Sequence, residues 1–561
     1  MLLTAYSELF RRLRLRPALA AELVIASLFA NVLALASPLF VTQVLNRYVS
    51  YGVDATLATL TSGVLIAVAL EFGFRHVRAR LAGTIGAEPD RQLAVGAFGI
   101  MTAARTAALS RIPSGERRET LRGLDLVEQA HGAPNVAAVL DVPFALIFVF
   151  ALGLMSPTLA GIVFAFILIV GFYSAFMQRG LRDSSKRMTE ISAAGNTLVG
   201  TASTASDTVR AFGAAPLLMT AWNRYVDAVQ DMRRYLGMRQ GTTQTVTQSA
   251  QALMSVAIVA VGAILVVQGH LDVGAMIGAN LLSARALGPI VRFAQLGETF
   301  AKADEALARL RGLARLELEP DEGSALRHYS GRIELRDVAF AFSGSSSPLF
   351  ESLNLSLAPG SVLVVTGRNG AGKTTLARML VGLVDPTRGQ VFADGVDLRQ
   401  MAPGWWRRQV CYLPQEPSFI DATIRENLLA ANPELDEEGI QRVVRAAGLG
   451  TFIDESAKGL DTPITNNGFT LSVGHRRRLA LARALTGDGQ LVVFDEPTEG
   501  LDAEGRNAVY AALLDLARRG RTIVAISHDP TIMRGARLVL DLNAKPVPRL
   551  VTVAPTAEAV P

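Results

Sequence analysis

The chain has a single cysteine, Cys411, in 561 residues. A lone thiol excludes an internal disulfide framework, a cysteine-based zinc site and a cysteine-held cluster. Its expected place is a buried core position. Charge is scarce as well: 19% of residues are Asp, Glu, Lys or Arg, where a soluble domain carries about 25%. Only five of the 55 basic side chains are lysine. Aromatics make up 6%, and no basic stripe with interleaved aromatics accompanies the formal charge of +5, so no nucleic-acid partner is expected. No internal repeat is found. Half of the residues are apolar and mean hydropathy is +0.31. These features exclude disordered, collagen-like and coiled-coil chains and favour a membrane component over an ordinary cytosolic enzyme.

What the first 300 residues do contain is long charge-free runs. Leu23 to Asn46, Ala55 to Leu70, Val142 to Gln178 and Gln240 to Leu271 carry no charged side chain, and Val273 to Ala284 follows after Asp272. About 20 apolar residues cross the hydrocarbon core as a helix. The run from Val142 is 37 residues long, too long for one span, and Ser156-Pro157 is a turn signal near its middle. Six spans are expected, at roughly 20–45, 54–74, 134–154, 157–178, 246–268 and 271–291. The second and sixth carry the weakest signal, because Glu71 and Arg285 lie near or inside them.

Basic residues set the orientation. Arg11, Arg12, Arg14 and Arg16 precede the first span, nine arginines lie from Arg75 to Arg122, and nine basic residues lie from Arg179 to Arg239. The alternate loops are short and nearly free of them, Arg47 excepted. The N-terminus and both long connections are therefore expected in the cytoplasm. The first span is too long for a cleaved signal peptide, and no convincing small-residue cleavage site follows it. Both long connections lack loop composition and read as helices that continue the spans and return. Elbows are expected near Arg111-Ile112-Pro113-Ser114-Gly115 and Gly213-Ala214-Ala215-Pro216. Asp141 and Arg285 sit at or near membrane depth, where a charge lines a path or pairs with a partner, or snorkels to the interface.

After about residue 292 the character changes. Glu298 to Leu318 is amphipathic at helical spacing, and Pro320-Asp321-Glu322-Gly323-Ser324 has linker composition. From Gly331 short β-rich runs alternate with helical stretches. Val362–Val365 and Leu491–Phe494 fit buried parallel strands. The expected divisions are a membrane domain at 1–315, a linker at 316–330, an α/β domain at 331–545 and a disordered tail at 546–561.

The α/β domain carries Gly367-Arg368-Asn369-Gly370-Ala371-Gly372-Lys373-Thr374, which matches G-x-x-x-x-G-K-[ST] between a strand and a helix. Such glycines let backbone amides close on phosphate oxygens, and the helix N-terminus adds positive potential. Gly367, Asn369, Gly370, Gly372, Lys373, Thr374 and Thr375 are the candidate nucleotide contacts. Lys373 would reach the β- and γ-phosphates, and the Thr374 hydroxyl would ligate Mg²⁺. Asp495 ends a second strand and suits a magnesium shell of oxygen ligands. Glu496 follows, placed to polarise an attacking water. His528 ends a third strand of the same expected sheet, which favours contact with phosphate.

Together these residues resemble the ATP-binding cassette (ABC) transporters. A Q-loop at Leu413-Pro414-Gln415, a signature at Leu471-Ser472-Val473-Gly474-His475 and a D-loop at Glu499-Gly500-Leu501-Asp502 join the phosphate loop, Asp495-Glu496 and His528 in the family's order. The resemblance implies an all-α six-helix transmembrane domain followed by an α/β P-loop (RecA-like) ATP-binding cassette with a helical subdomain. It implies ATP and Mg²⁺ as cofactors, with Thr374, Gln415 and Asp495 around the metal. Phe342 would stack on adenine, and Glu496, His528, Gln415 and Lys373 would serve catalysis. It also implies a second half-transporter. Ser472 and Gly474 of one chain would complete the ATP site of the other.

Ala36-Ser37-Pro38-Leu39-Phe40-Val41, Leu140-Asp141-Val142-Pro143-Phe144 and Arg285-Ala286-Leu287-Gly288-Pro289 resemble, more narrowly, the type I secretion exporters of Gram-negative inner membranes. Those export proteins with a periplasmic adaptor and an outer-membrane channel. With no peptidase-like domain before the first span, the chain resembles the members that lack one. The alternative cargo is a lipid or small hydrophobic molecule. The signature departs from Leu-Ser-Gly-Gly-Gln at Val473 and His475, and Asn466 stands where an acidic residue is usual. A slow homodimer and a heterodimer with a better-endowed partner both fit. A third reading is a regulator that binds ATP without useful turnover, and the intact Glu496 argues against it.

Overall fold

The computed structural model describes residues 5–178, 181–342, 344 and 347–552. Residues 553–561 of the expected tail, and Arg179 among the basic residues, lie outside them. The chain forms two compact units that meet in sequence between Glu317 and Leu318.

The first unit is helical: α1 (Ala5–Leu15), α2 (Pro17–Leu33), α3 (Ala36–Gln43), α4 (Asp54–Ala103), α5 (Ser114–Ala130), α6 (Ala133–Met155), α7 (Pro157–Gln178), α8 (Leu181–Thr204), α9 (Ala215–Val267), α10 (Val273–Gln295) and α11 (Gly297–Leu313). Among the described residues six stretches are long and apolar enough to cross a membrane: Pro17–Tyr51, Asp54–Ala103, Ala133–Met155, Pro157–Met177, Ala215–Val267 and Val273–Leu313. Helices suit this solvent because each backbone polar group is satisfied within its own segment. The long connections are continuations of the spans: α4 runs unbroken for 50 residues and α9 for 53. The chain turns where proline and glycine dictate. Ser156 is extended (φ −157°) before Pro157 at the start of α7, and Gly213 takes φ +60° before α9. The first elbow opens earlier than expected, at Ala104, and closes at Pro113.

Packing inside the bundle is tight where side chains are small. Met254, Ile258, Leu282, Phe148 and Leu152 form a buried core among α6, α9 and α10. A Cβ on Gly278 of α10 would sit on the Thr42 hydroxyl of α3, so glycine lets α10 and α3 approach closely there. The outward faces stay apolar, with Leu65, Ile66, Phe72 and Phe150 exposed, as lipid or a partner helix requires.

The charges that weakened two spans pair inside this unit. Glu71 accepts from Arg75 Nε at 2.7 Å and lies 3.8 Å from Arg285 of α10. Asp141, 1% exposed, accepts from Arg78 (2.6 Å) and from Asn31 Nδ2 (3.0 Å), with Arg292 at 3.6 Å. The pairing role expected for Asp141 and Arg285 is thus what the side chains adopt.

The second unit holds two sheets. β1 (Ile333–Phe340), β2 (Phe350–Leu357), β4 (Arg388–Ala393) and β5 (Val396–Asp397) form an antiparallel sheet in the order β2-β1-β4-β5. β3 (Val362–Thr366), β6 (Val410–Leu413), β7 (Leu491–Asp495), β8 (Thr522–Ile526), β9 (Leu538–Asp541) and β10 (Arg549–Thr552) form the other, ordered β10-β9-β3-β8-β7-β6. β9, β3, β8, β7 and β6 run parallel. β7 and β8 are buried along their whole length, as continuous Val/Ile/Leu runs predict.

One expected boundary shifts. Residues 549–552, expected in a disordered tail, form β10, whose Leu550 and Val551 pair antiparallel with Leu540 and Val539. Pro, Val and Ala dominate that tail's composition, but four β-competent residues beside an open sheet edge suffice to add a strand. The expected linker is docked on the cassette rather than free. Ser324 N donates to Gln400 O, and Tyr329, 1% exposed, packs edge-on against Trp406.

Candidate nucleotide site

The parallel sheet explains why residues far apart in sequence converge. β3, β8 and β7 are adjacent, so their C-terminal ends deliver the phosphate loop, His528 and Asp495-Glu496 to one edge. Ligands bind at that end of such sheets.

The loop after β3 ends in α12 (Lys373–Leu380), whose N-cap is Gly372 at φ +103°. Gly370 takes φ +79°. A Cβ on Gly372 would lie 3.1 Å from the Phe350 ring, so glycine is required there by backbone and by space. Asn369 and Gly370 are exposed on the loop, and Thr375 is partly buried in the first turn of α12. Lys373 is 8% exposed. Its ammonium donates to Gly367 O at 2.7 Å and lies 3.1 Å from His528 Nε2 and 3.5 Å from Glu496 Oε1. His528 Nε2 is 3.0 Å from Gly367 O and 3.8 Å from Glu496 Oε1. A cation, an imidazole and a carboxylate thus face one point beside the phosphate loop.

Thr374 Oγ1 donates to Gln415 Oε1 at 3.2 Å, and Gln415 Nε2 is 3.5 Å from Glu499 Oε2. Asp495 is 1% exposed, and both of its carboxylate oxygens are buried without a hydrogen-bond partner. Burial pushes its carboxyl above the ordinary aspartate range, since a charge is poorly solvated there. A buried acceptor pair with no donor is costly, and a hard cation is its natural complement. Among the described residues no group of three His, Cys, Asp or Glu side chains could hold a metal. One carboxylate, one hydroxyl and one amide oxygen instead suit magnesium, which keeps several waters.

Glu496 has φ +48°, a left-handed conformation costing a non-glycine residue about 1–3 kcal/mol. It is held by Glu496 N donating to Ile526 O (2.9 Å) and by Arg477 donating to its carbonyl (3.3 Å). Arg477 also reaches Glu499 at 3.2 Å. Arg478 binds both oxygens of Asp502 (2.6 and 2.8 Å) and Gly448 O (2.7 Å). Asp502 in turn caps α14 (Ala503–Arg518) through Gly505 N. Sequence reasoning passed over these two arginines. Their signal was the run Arg476-Arg477-Arg478 directly after the signature.

Phe342 is 57% exposed and meets Phe340 edge-on at 5.2 Å. Phe340 pairs across the sheet with Phe350, the ring under Gly372, so Phe342 follows a strand anchored beneath the phosphate loop. Ser472 and Gly474 stand apart from this constellation at the start of α13 (Val473–Leu485), where Ser472 Oγ accepts from His475 N at 3.2 Å. Val473 is half exposed, with Cγ1 against the Gly500 position. The His475 ring stacks on Phe452 with centroids 4.2 Å apart. Asn466 and Asn467 both take left-handed φ, +52° and +54°, which asparagine tolerates better than most residues.

Residues 21–290 match the ABC transporter transmembrane region, and residues 350–499 match the ABC transporter family. The chain is 28% identical over 528 residues to the toxin RTX-I translocation ATP-binding protein of Actinobacillus pleuropneumoniae, spanning 92% of this chain and 73% of that one. It is 27% identical over 535 residues to the leukotoxin export ATP-binding protein LtxB of Aggregatibacter actinomycetemcomitans, spanning 93% and 74%. A solved structure of a bacterial Atm1-family ABC exporter with ATP bound shares the fold, with a TM-score of 0.83, 19% identity and coverage of 95% and 94%. Six membrane-length helices followed on the same chain by a complete phosphate loop and its sheet make this protein an ABC exporter, with a transmembrane domain fused to the ATP-binding domain whose hydrolysis drives transport.

Proposed function

We propose that the protein is the energising permease of a type I protein secretion system in a bacterial inner membrane, with its N-terminus, long connections and cassette in the cytoplasm. The observation that carries this reading is the alignment, over more than nine-tenths of the chain, with exporters of toxin and leukotoxin. A periplasmic adaptor and an outer-membrane channel would complete the path. Half-transporters work as dimers, so Ser472 and Gly474 would act on the partner's nucleotide.

In this reading Lys373 and the Gly367–Thr374 amides hold the β- and γ-phosphates, and Phe342 stacks on adenine. Thr374, Gln415 and Asp495 would hold magnesium. When bound, it neutralises charge on the phosphate oxygens. Glu496 orients the attacking water and takes its proton. His528, next to Lys373 and Glu496, contacts the γ-phosphate, and Gln415 ties that end of the site to Glu499.

Deleting the gene should remove at least one protein from the culture medium. Wild-type chain should restore it and the Glu496→Gln variant should not. An unchanged set of secreted proteins with altered membrane lipid would select the lipid-cargo alternative. Orientation has its own test. Cysteines at Ser114 and at Ser156 in a Cys411→Ser background should label from opposite faces of the membrane, and labelling from one face would refute the six-span arrangement. In the wild type Cys411 is poorly reactive, because burial pushes its thiol up to about 11 and the thiolate is the reactive form.

A further inference from the structure

Glu496 is pinned on both sides of its Cα. Its N–H donates to Ile526 O of β8 at 2.9 Å, and its carbonyl accepts from Glu499 N and from Arg477 Nη1, each at 3.3 Å. These bonds hold the left-handed backbone, φ +48°, which a non-glycine residue keeps only where its surroundings over-determine it. The side chain carried by this backbone stands with Oε1 3.5 Å from Lys373 Nζ and 3.8 Å from His528 Nε2. A backbone that relaxed to the ordinary helical or extended regions would swing the carboxylate off that point.

Arg477 reaches this carbonyl from the second turn of α13, with its side chain 16% exposed. Its guanidinium crosses the turn after Glu496, where a Cβ on Gly500 would stand 3.5 Å from Arg477 Nε. The other arm of the fork, Nη2, meets Glu499 Oε2 at 3.2 Å, and the same carboxylate oxygen is 3.5 Å from Gln415 Nε2. Glu499 thus aims the guanidinium while Nη1 engages the Glu496 carbonyl. A planar guanidinium serves two acceptors at fixed spacing, whereas an ammonium is a point charge without that fork. α13 has a separate anchor in Arg478, which binds both oxygens of Asp502 and Gly448 O. We propose that Arg477 is a positioning residue for ATP hydrolysis, acting through the main chain of Glu496 and oriented by Glu499. This inference rests on the reading of Glu496 as the general base.

The test measures ATP hydrolysis by purified full-length protein in detergent, with ATP binding followed on the same samples. Arg477→Leu should lower kcat about tenfold to hundredfold, the range for one hydrogen bond from a charged donor. KM and ATP binding should stay within about twofold of wild type, as for a group that does not contact ATP. Arg477→Lys, whose ammonium is drawn to Glu499 and leaves the carbonyl, should show the same loss in kcat alone. The double variant Arg477→Leu/Glu496→Gln should hydrolyse no more slowly than Glu496→Gln, because residues that act through one group are not additive. An arginine that merely supported the fold would cost further rate. Wild-type kcat in either Arg477 variant, a raised KM at unchanged kcat, or a further loss in the double variant overturns the proposal. Glu496→Gln alone judges the underlying reading. Wild-type hydrolysis by that variant would remove the general base, whereas a slow Glu496→Gln beside a fast Arg477→Leu would remove only Arg477.

Discussion

Glu496→Gln should retain ATP and lose roughly 10²–10⁴ of the hydrolysis rate, the range expected when a general base is removed. The substitution keeps the size of the side chain, its left-handed backbone and the Arg477 contact to its carbonyl. The proton acceptor is removed, together with the negative charge that faces Lys373 and His528. Nucleotide binding and phosphate release measured on the same preparation separate the two effects. Phosphate release at the wild-type rate would exclude Glu496 from the mechanism.

Val473→Gly should raise ATP hydrolysis of the purified protein by about tenfold to hundredfold. Val473 opens α13 and is half exposed; in the proposed dimer the signature would approach the partner's γ-phosphate there. A β-branched side chain there holds the first backbone amides of α13 away from an anion, and glycine lets them close. One hydrogen bond to a charged group contributes about 1.5–3 kcal/mol, which sets the size of the change. His475→Gln should add little alone, because His475 is already engaged with Phe452. An unchanged rate in a Val473→Gly homodimer refutes the crowding argument. Fast turnover restored by a co-expressed partner would then assign this chain to a heterodimer.

The spans and the phosphate site were legible for different physical reasons. Charge-free runs report helices because the bilayer admits little else, so Ser156-Pro157 and Gly213 could be placed as turns from composition. Lys373, Thr374, Asp495 and His528 announced themselves because phosphate chemistry fixes both residue type and spacing. Partners that depend on tertiary packing left no such trace. Nothing in the sequence ties Glu71 to Arg285, 214 positions away, or Arg477 to the carbonyl of Glu496. The strand at 549–552 was missed because its pairing edge lies on β9, outside the segment whose composition was being read. The linker's contacts were equally hidden: Pro320 to Ser324 has loop chemistry, and Tyr329 beyond it is held by Trp406.

The buried clasp on Asp141 bears on how the chain is made. Ribosomal synthesis delivers Arg78 first, Asp141 next and Arg292 last. A lone aspartate at the centre of an inserting helix costs about 2.5–3.5 kcal/mol, and the third span reaches the bilayer long before the sixth exists. Arg78, at 2.6 Å the shorter of the two arginine contacts, is the one already synthesised. The second and third spans therefore enter most cheaply as a matched hairpin, the acid of one neutralised by the base of the other. Arg292 joins a bond already made. An Arg78→Leu chain, although more apolar, would be harder to build.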